Sequence, residues 1–274
     1  MKGLQVVTLA LNLPGPLAAK RLLALGAEVV KVEPPQGDPF EHYNSEWYQD
    51  LNNQQSIRKL DLKSQAGLQA FDRLLKKSDL LITAQRPVAL ERLGLDWVGL
   101  QRKFPSLNHL AIVGYPEPNQ NHAGHDLTYQ ASLGLLSPPH MPKTLVADMA
   151  GAERAAFEGL AMLMASKLGE SGQRKVIALS EAAEYMAMPL KYGLTGDGAM
   201  LGGRRPEYAL YDTKSGWVAI AAIEPHFKLR LQKGLDLLDL SHDAISKKLK
   251  TKSALDWVEW ANERDIPLVE VKKV

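Results

Sequence analysis

The first residues alternate between two periodicities, and that alternation leaves few folds open. Leu4, Val6, Val7, Leu9 and Leu11 form a nearly continuous apolar run, residues 17–25 repeat at helical spacing up to Gly26, and residues 29–32 form a second apolar run ending at Glu33-Pro34-Pro35. A strand buried on both faces, a helix stopped by glycine and a second buried strand are the parts of a βαβ unit. The pattern recurs in a helix over 67–75 leading into the strand Leu80-Leu81-Ile82, and in strands over 110–113 and 176–179, the last followed by a helix over 181–188. The reading is an α/β, Rossmann-like large domain with a parallel sheet, covering residues 1–192. Over 152–168, Phe157, Leu160, Ala161, Met164 and Leu168 recur at helical spacing, which predicts an amphipathic helix burying that face.

Glycines crowd into residues 193–206, where Gly193, Gly196, Gly198, Gly202 and Gly203 lead to Arg204-Arg205-Pro206, and this stretch reads as a linker or lid. Beyond it, runs over 208–211 and 217–222 flank Asp212-Thr213-Lys214-Ser215-Gly216 and predict a hairpin followed by helices. Residues 207–274 are therefore assigned to a smaller α+β domain.

Composition narrows the function classes. A net charge of +2 gives no basic footprint for nucleic acid, and the absence of cysteine removes thiolate catalysis and disulfide frameworks. Gln5 and Thr8 interrupt the leading apolar run, which reads as a strand rather than a leader, and no apolar stretch is long enough to span a bilayer. These features describe a folded cytoplasmic domain with no membrane partner.

Glu33 stands where a dinucleotide-binding fold places its ribose acid, yet the turn Asn12-Leu13-Pro14-Gly15-Pro16 lacks G-x-G-x-x-G, and its prolines remove N–H donors that a pyrophosphate needs. His122 and His125 stand near Asp126, but no further cluster completes a metal site, so no metal is expected. No G-x-S-x-G elbow offers a serine nucleophile. Asp148 immediately precedes the helical pattern of 152–168. It reads as an N-cap kept ionised by the helix dipole, near N–H groups that can stabilise an oxyanion. In Gly124-His125-Asp126-Leu127-Thr128-Tyr129, Asp126 reads as a cap and His125 as a surface group.

Taken together these segments resemble the family III CoA-transferases, the CaiB/BaiF superfamily that includes formyl-CoA transferase and α-methylacyl-CoA racemase. The resemblance runs from Pro14-Gly15-Pro16-Leu17-Ala18-Ala19 through Gly26-Ala27-Glu28-Val29-Val30-Lys31-Val32-Glu33-Pro34-Pro35, Gly37-Asp38 and Leu60-Asp61-Leu62-Lys63. It continues through Arg86-Pro87, Glu91-Arg92-Leu93-Gly94-Leu95, the Gly-His-Asp tract, Ala147-Asp148 and Glu224-Pro225-His226-Phe227. It implies coenzyme A or acyl-CoA as substrate, an acceptor carboxylic acid, a homodimer, and Asp148 as the group that attacks the thioester. CoA transfer is the favoured reaction, since Asp148 is the one side chain it strictly needs and Ala150-Gly151-Ala152 resembles the transferase branch. The alternative is a racemase in which His125 and Asp148 exchange the α-proton, with Glu224 pairing with His125. A non-catalytic CoA-binding or assembly protein is a third reading. The resemblance further implies CoA-phosphate contacts from Lys31, Arg58, Lys59 and Arg86, and a closing loop at Gly202 and Gly203.

Overall fold

The structure is a computed structural model and describes residues 2–170 and 172–272. The chain forms two compact units, residues 1–187 and 188–274. In the first unit six strands, β1 (Gln5–Thr8), β2 (Glu28–Glu33), β3 (Ser56–Lys59), β4 (Leu80–Thr83), β5 (Asn108–Val113) and β6 (Arg174–Ala178), make one sheet. Their order is β3-β2-β1-β4-β5-β6 and every neighbouring pair is parallel. The chain winds outward in both directions from β1 and β4. That reversal opens a crevice beyond the carboxyl ends of these two strands.

Side chains alternate across the central strands, so both faces are buried. Val6, Leu80, Ile82, Leu110 and Ile112 pack in one cluster with Leu22 of the helix Pro14–Ala24 and Leu163 of the helix Val146–Lys167. Val7, Val32 and Leu81 pack on the other face with Phe71, Leu75, Leu100 and Phe104. This double burial explains the continuous apolar runs in the sequence. β1 ends at Thr8 rather than at Leu11. The Leu9 N–H still donates to the Ile82 carbonyl (2.9 Å), after which the chain turns through Asn12, whose φ of 64° is left-handed.

The long helix Val146–Lys167 starts six residues earlier than expected and buries a different face. Ala147, Gly151, Ala152, Ala155, Ala156, Gly159, Met162 and Leu163 face inward, whereas Phe157 (69% exposed), Met164 and Leu168 lie on the surface. Size decides the choice of face. A Cβ at Gly151 would fall 2.3 Å from Leu179 Cδ2, so the inward stripe must be built of small residues, which carry little hydrophobic signal.

The division between the units falls after Ala187, not after residue 192, and the glycine stretch lies wholly inside the second unit. It is a folded turn held by its own backbone. Leu201 donates to the Leu194 carbonyl (2.9 Å) and Arg204 to the Ala199 carbonyl (3.2 Å), while a Cβ at Gly202 would sit 1.5 Å from the Gly196 carbonyl oxygen. The second unit contains the antiparallel sheet β7 (Tyr208–Asp212), β8 (Trp217–Ala221) and β9 (Leu268–Glu270), in that order. Val218, Ile220, Leu231, Ile245, Leu249 and Trp257 form its core. Among the described residues no helix is long and apolar enough to cross a membrane.

One polar group sits inside the large sheet. His109 on β5 is buried, with Nε2 2.9 Å from the Thr83 hydroxyl and Trp97 stacked nearby. Burial, followed by the charge of Arg174, lowers its pKa from 6.5 to about 4. The unfolded chain therefore binds the proton more readily, and stability is lost as the pH falls from about 6.5 toward 4. Urea titrations between pH 7.5 and 4.5 should show the wild type losing about 2–3 kcal/mol more than His109→Asn. Equal losses would remove His109 as the cause.

Candidate functional site

A cavity of about 430 Å³ lies in the first unit. Its walls come from Leu11, Asn12 and Leu13 after β1, Ala84, Gln85 and Arg86 after β4, Gly114 after β5, and His125, Tyr129 and Asp148. It thus occupies the crevice that the strand order creates.

Burial of one ammonium shapes the wall after β1. Lys31 on β2 is fully buried, with Nζ 2.6 Å from Asp38 Oδ2 and 3.1 Å from Glu33 Oε1. Asp38 Oδ1 accepts the N–H groups of Asn12 and Phe40, each at 3.0 Å, and Tyr48 donates to Glu33 Oε1 at 2.8 Å. Burial and the adjacent Glu33 raise the Tyr48 pKa, so its hydroxyl stays a donor. The buried cation thus reaches the cavity through Asp38 and the Asn12 backbone. This overturns the expectation that Lys31 meets a phosphate, because both of its partners are internal carboxylates and no part of it is exposed. Glu33 uses only Oε1 for Tyr48 and Lys31, and its buried Oε2 has no hydrogen-bond partner at the wall of a second hollow.

The other expected cations divide. Arg86 lines the cavity at the head of the helix Pro87–Arg92. Arg58 and Lys59 are exposed on β3, the edge strand of the sheet, and are not part of the cavity wall. Next to the cavity a second hollow of about 410 Å³ lies over the ends of β1 and β2, with Pro34, Pro35, Leu60, Leu62 and Lys63 in its walls. Leu11 and Gln85 border both hollows.

His125 and Asp148, far apart in sequence, line the same cavity. His125 is the N-cap residue of the helix Asp126–Ser132, and its backbone N–H donates to the Thr128 hydroxyl at 3.1 Å. Asp126 is therefore not the cap, while His125 is exposed as expected. Asp126 is the first helical residue and is buried, and its Oδ2 accepts the backbone N–H of Asp148 at 3.0 Å. Asp148 is not an N-cap either, since Leu145 holds that position and Asp148 lies within the first turn.

Its proton affinity runs opposite to the direction that the helix dipole alone implies. Burial, followed by repulsion from Asp126, raises the Asp148 pKa from 3.8 to about 6, outweighing the helix dipole. Tyr129 is buried, its hydroxyl has no hydrogen-bond partner, and burial pushes its pKa up to about 12. Sequence reasoning missed Tyr129 and the role of Asp126. The Gly-His-Asp tract contained the aspartate, but nothing local shows that its partner is a backbone N–H 22 residues away.

Glu224 is exposed at the N-cap of the helix Pro225–Gly234, and it belongs to the second unit together with Gly202 and Gly203. The cavity wall contains none of the three. Among the described residues no group of three or more metal-ligating side chains stands together.

Comparison with known proteins places these features in context. The description CoA-transferase family III matches residues 1–274. The human alpha-methylacyl-CoA racemase is 32% identical over 257 residues, covering 86% of this chain and 65% of the racemase. The (R)-2-hydroxy-4-methylpentanoate CoA-transferase of Clostridioides difficile is 28% identical over 250 residues, covering 82% of this chain and 63% of that protein. The chain thus spans about two thirds of the length of these relatives. Among solved structures, the hypothetical protein Rv3272 of Mycobacterium tuberculosis superposes with a TM-score of 0.88 at 23% identity, covering 100% of this chain and 85% of the other. A CaiB/BaiF family protein of Brucella suis gives 0.82 at 20% identity, covering 99% and 84%.

Two expected outcomes follow from the charges. Replacing Lys31 by Met leaves Glu33 and Asp38 buried without their cation and should cost about 3–5 kcal/mol in urea unfolding, against about 0.5 kcal/mol or less for Arg58→Ala. The raised pKa of Asp148 means that the folded state holds its proton more tightly than the unfolded chain. The associated stability is present below pH 3.8 and is lost as the pH rises through about 6. Asp148→Asn should therefore be more stable than the wild type at pH 8, by roughly 1–3 kcal/mol, with the gap closing toward pH 4.

Proposed function

Because the chain belongs to CoA-transferase family III, we propose that it moves CoA between carboxylic acids through a covalent intermediate on Asp148. The observation that carries this reading is a half-buried carboxyl of raised pKa on the wall of a cavity at the sheet's switch point. Above pH 6 this group is mostly ionised, and its raised basicity makes it a better nucleophile than an ordinary carboxylate.

Attack of the Asp148 carboxylate on the thioester carbonyl carbon forms a C–O bond and breaks the C–S bond. The CoA thiolate leaves and an acyl-aspartyl anhydride remains. Return of the thiolate to the aspartyl carbonyl releases the first acid and leaves CoA as an aspartyl thioester. The acceptor carboxylate then attacks that thioester, and the thiolate closes the cycle on the new acyl group. Each step conserves charge, because one anion replaces another, and none requires an added proton donor.

The two adjoining hollows support an elongated ligand. The cavity beside Asp148 suits the acyl thioester, and the hollow walled by Pro34, Pro35, Leu60 and Leu62 suits a flat base. Arg86 and Lys63, which line these hollows, are the phosphate contacts this reading favours. Racemisation of a 2-methylacyl-CoA is the second reading. His125 on the same cavity wall and the similarity to alpha-methylacyl-CoA racemase favour it.

Calorimetry should show CoA binding that weakens with salt, and mass spectrometry with a panel of acyl-CoAs should show an adduct that Asp148→Asn lacks. In transfer, His125→Ala slows the reaction while the adduct still forms. In racemisation it abolishes inversion and reduces deuterium uptake at the α-carbon of a 2-methylacyl-CoA. Acceptor-independent deuterium uptake that needs His125 would replace the transferase reading with the racemase. Full activity in Asp148→Asn would defeat both.

A further inference from the structure

The first turn of the long helix presents an unusual arrangement of polar groups. Its N-cap residue, Leu145, supplies no side-chain acceptor, so the helix's leading N–H groups must find partners elsewhere. The Asp148 N–H finds one across the chain in Asp126 Oδ2, at 3.0 Å. The other oxygen of Asp126 accepts from Gln130 Nε2, and Gln130 Nε2 also donates to the Thr144 carbonyl at 3.1 Å. Asp126 and Gln130 are 4% and 2% exposed, so neither contact competes with bulk water. Asp126 and Gln130 together thus tie three stretches: the helix Asp126–Ser132, the segment entering the long helix through Gln130, and the turn that carries Asp148 through Asp126.

We propose that Asp126 is the positioning residue of this site: its buried carboxylate anchors the first turn of the long helix and holds a fixed negative charge against Asp148. This assignment rests on Asp148 being the reacting group. The ionisable side chains around Asp148 are Asp126 and Tyr129 of the helix Asp126–Ser132, His125 before it, His122, and Arg86 and Tyr43 on the cavity wall. Farther along, Glu181 of the helix Leu179–Met186 lies 3.6 Å from Arg154, and Arg21 of the helix Pro14–Ala24 lies 2.7 Å from Glu153. Among all these, the charge that raises the Asp148 pKa is that of Asp126, acting second to burial.

The chemical consequence is a division of labour between two aspartates. Both oxygens of Asp126 are committed to donors, one to the Asp148 N–H and the other to Gln130. The Asp148 carboxyl, whose pKa burial and the charge of Asp126 raise, is left for the cavity. An asparagine at position 126 has nearly the same shape but no charge, and with its oxygen turned to the Asp148 N–H it sets an NH₂ donor against the Gln130 Nε2 donor.

The test needs no substrate, so its outcome is separate from that of the CoA reading. In protein labelled with ¹³C at aspartate carboxyls, the Asp148 resonance is identified by its loss in Asp148→Asn. Its titration midpoint should lie near pH 6 in the wild type and fall by ~1 unit in Asp126→Asn, remaining above the ordinary carboxylate range because burial persists. An unchanged midpoint in a folded Asp126→Asn protein would overturn the proposal. Hydrogen exchange on the wild type decides the matter if that variant does not fold. The Asp148 amide should exchange at least ~100-fold more slowly than an unprotected amide despite its place in a first helical turn, and an unprotected rate would equally overturn the assignment.

Discussion

The Lys31 ammonium is the interaction on which the geometry of the large unit most depends. It sits on a central strand with no exposed surface, balanced by Glu33 and Asp38. Taking these charges out of water is costly, and their mutual attraction returns little net stability. What the network fixes is position. Asp38 also holds the N–H of Asn12, whose left-handed backbone turns the chain from β1 into the cavity wall. With that turn set on one side and the loop after β4 on the other, the crevice has two defined walls.

Much of the architecture was legible because central strands of a parallel sheet are buried twice. Val6 and Val7, or Leu81 and Ile82, face opposite clusters, and each needs an apolar side chain, so strand positions announce themselves without an alignment. The long helix failed the same reading for an opposite reason. Its inward face must approach closely, so it is written in alanine and glycine, while the bulky Phe157, Met164 and Leu168 are left outside. Periodicity registers bulk, and here bulk and burial are on different faces.

Of the candidate residues read from the sequence, three come together. His125, Asp148 and Arg86 line one cavity. Lys31 is drawn inward by two acids that its own strand and the following loop supply, and no local pattern distinguishes such a lysine from one that meets a ligand. The raised pKa of Asp148 was also out of reach. A dipole argument needs only the helix, but burial and the facing Asp126 depend on a second helix that arrives 22 residues earlier in the chain.

The small-residue face has a further consequence. Gly151 and Gly159 each weaken the long helix by about 1 kcal/mol relative to alanine, and its leading turn depends on an acceptor from another segment. A helix so constituted does not persist without the surface it packs against. Before the sheet and the Asp126 segment are in place, Asp148 is an ordinary solvated carboxylate on a fluctuating chain. Its raised proton affinity is therefore a property of the assembled unit, absent during synthesis and lost on partial unfolding.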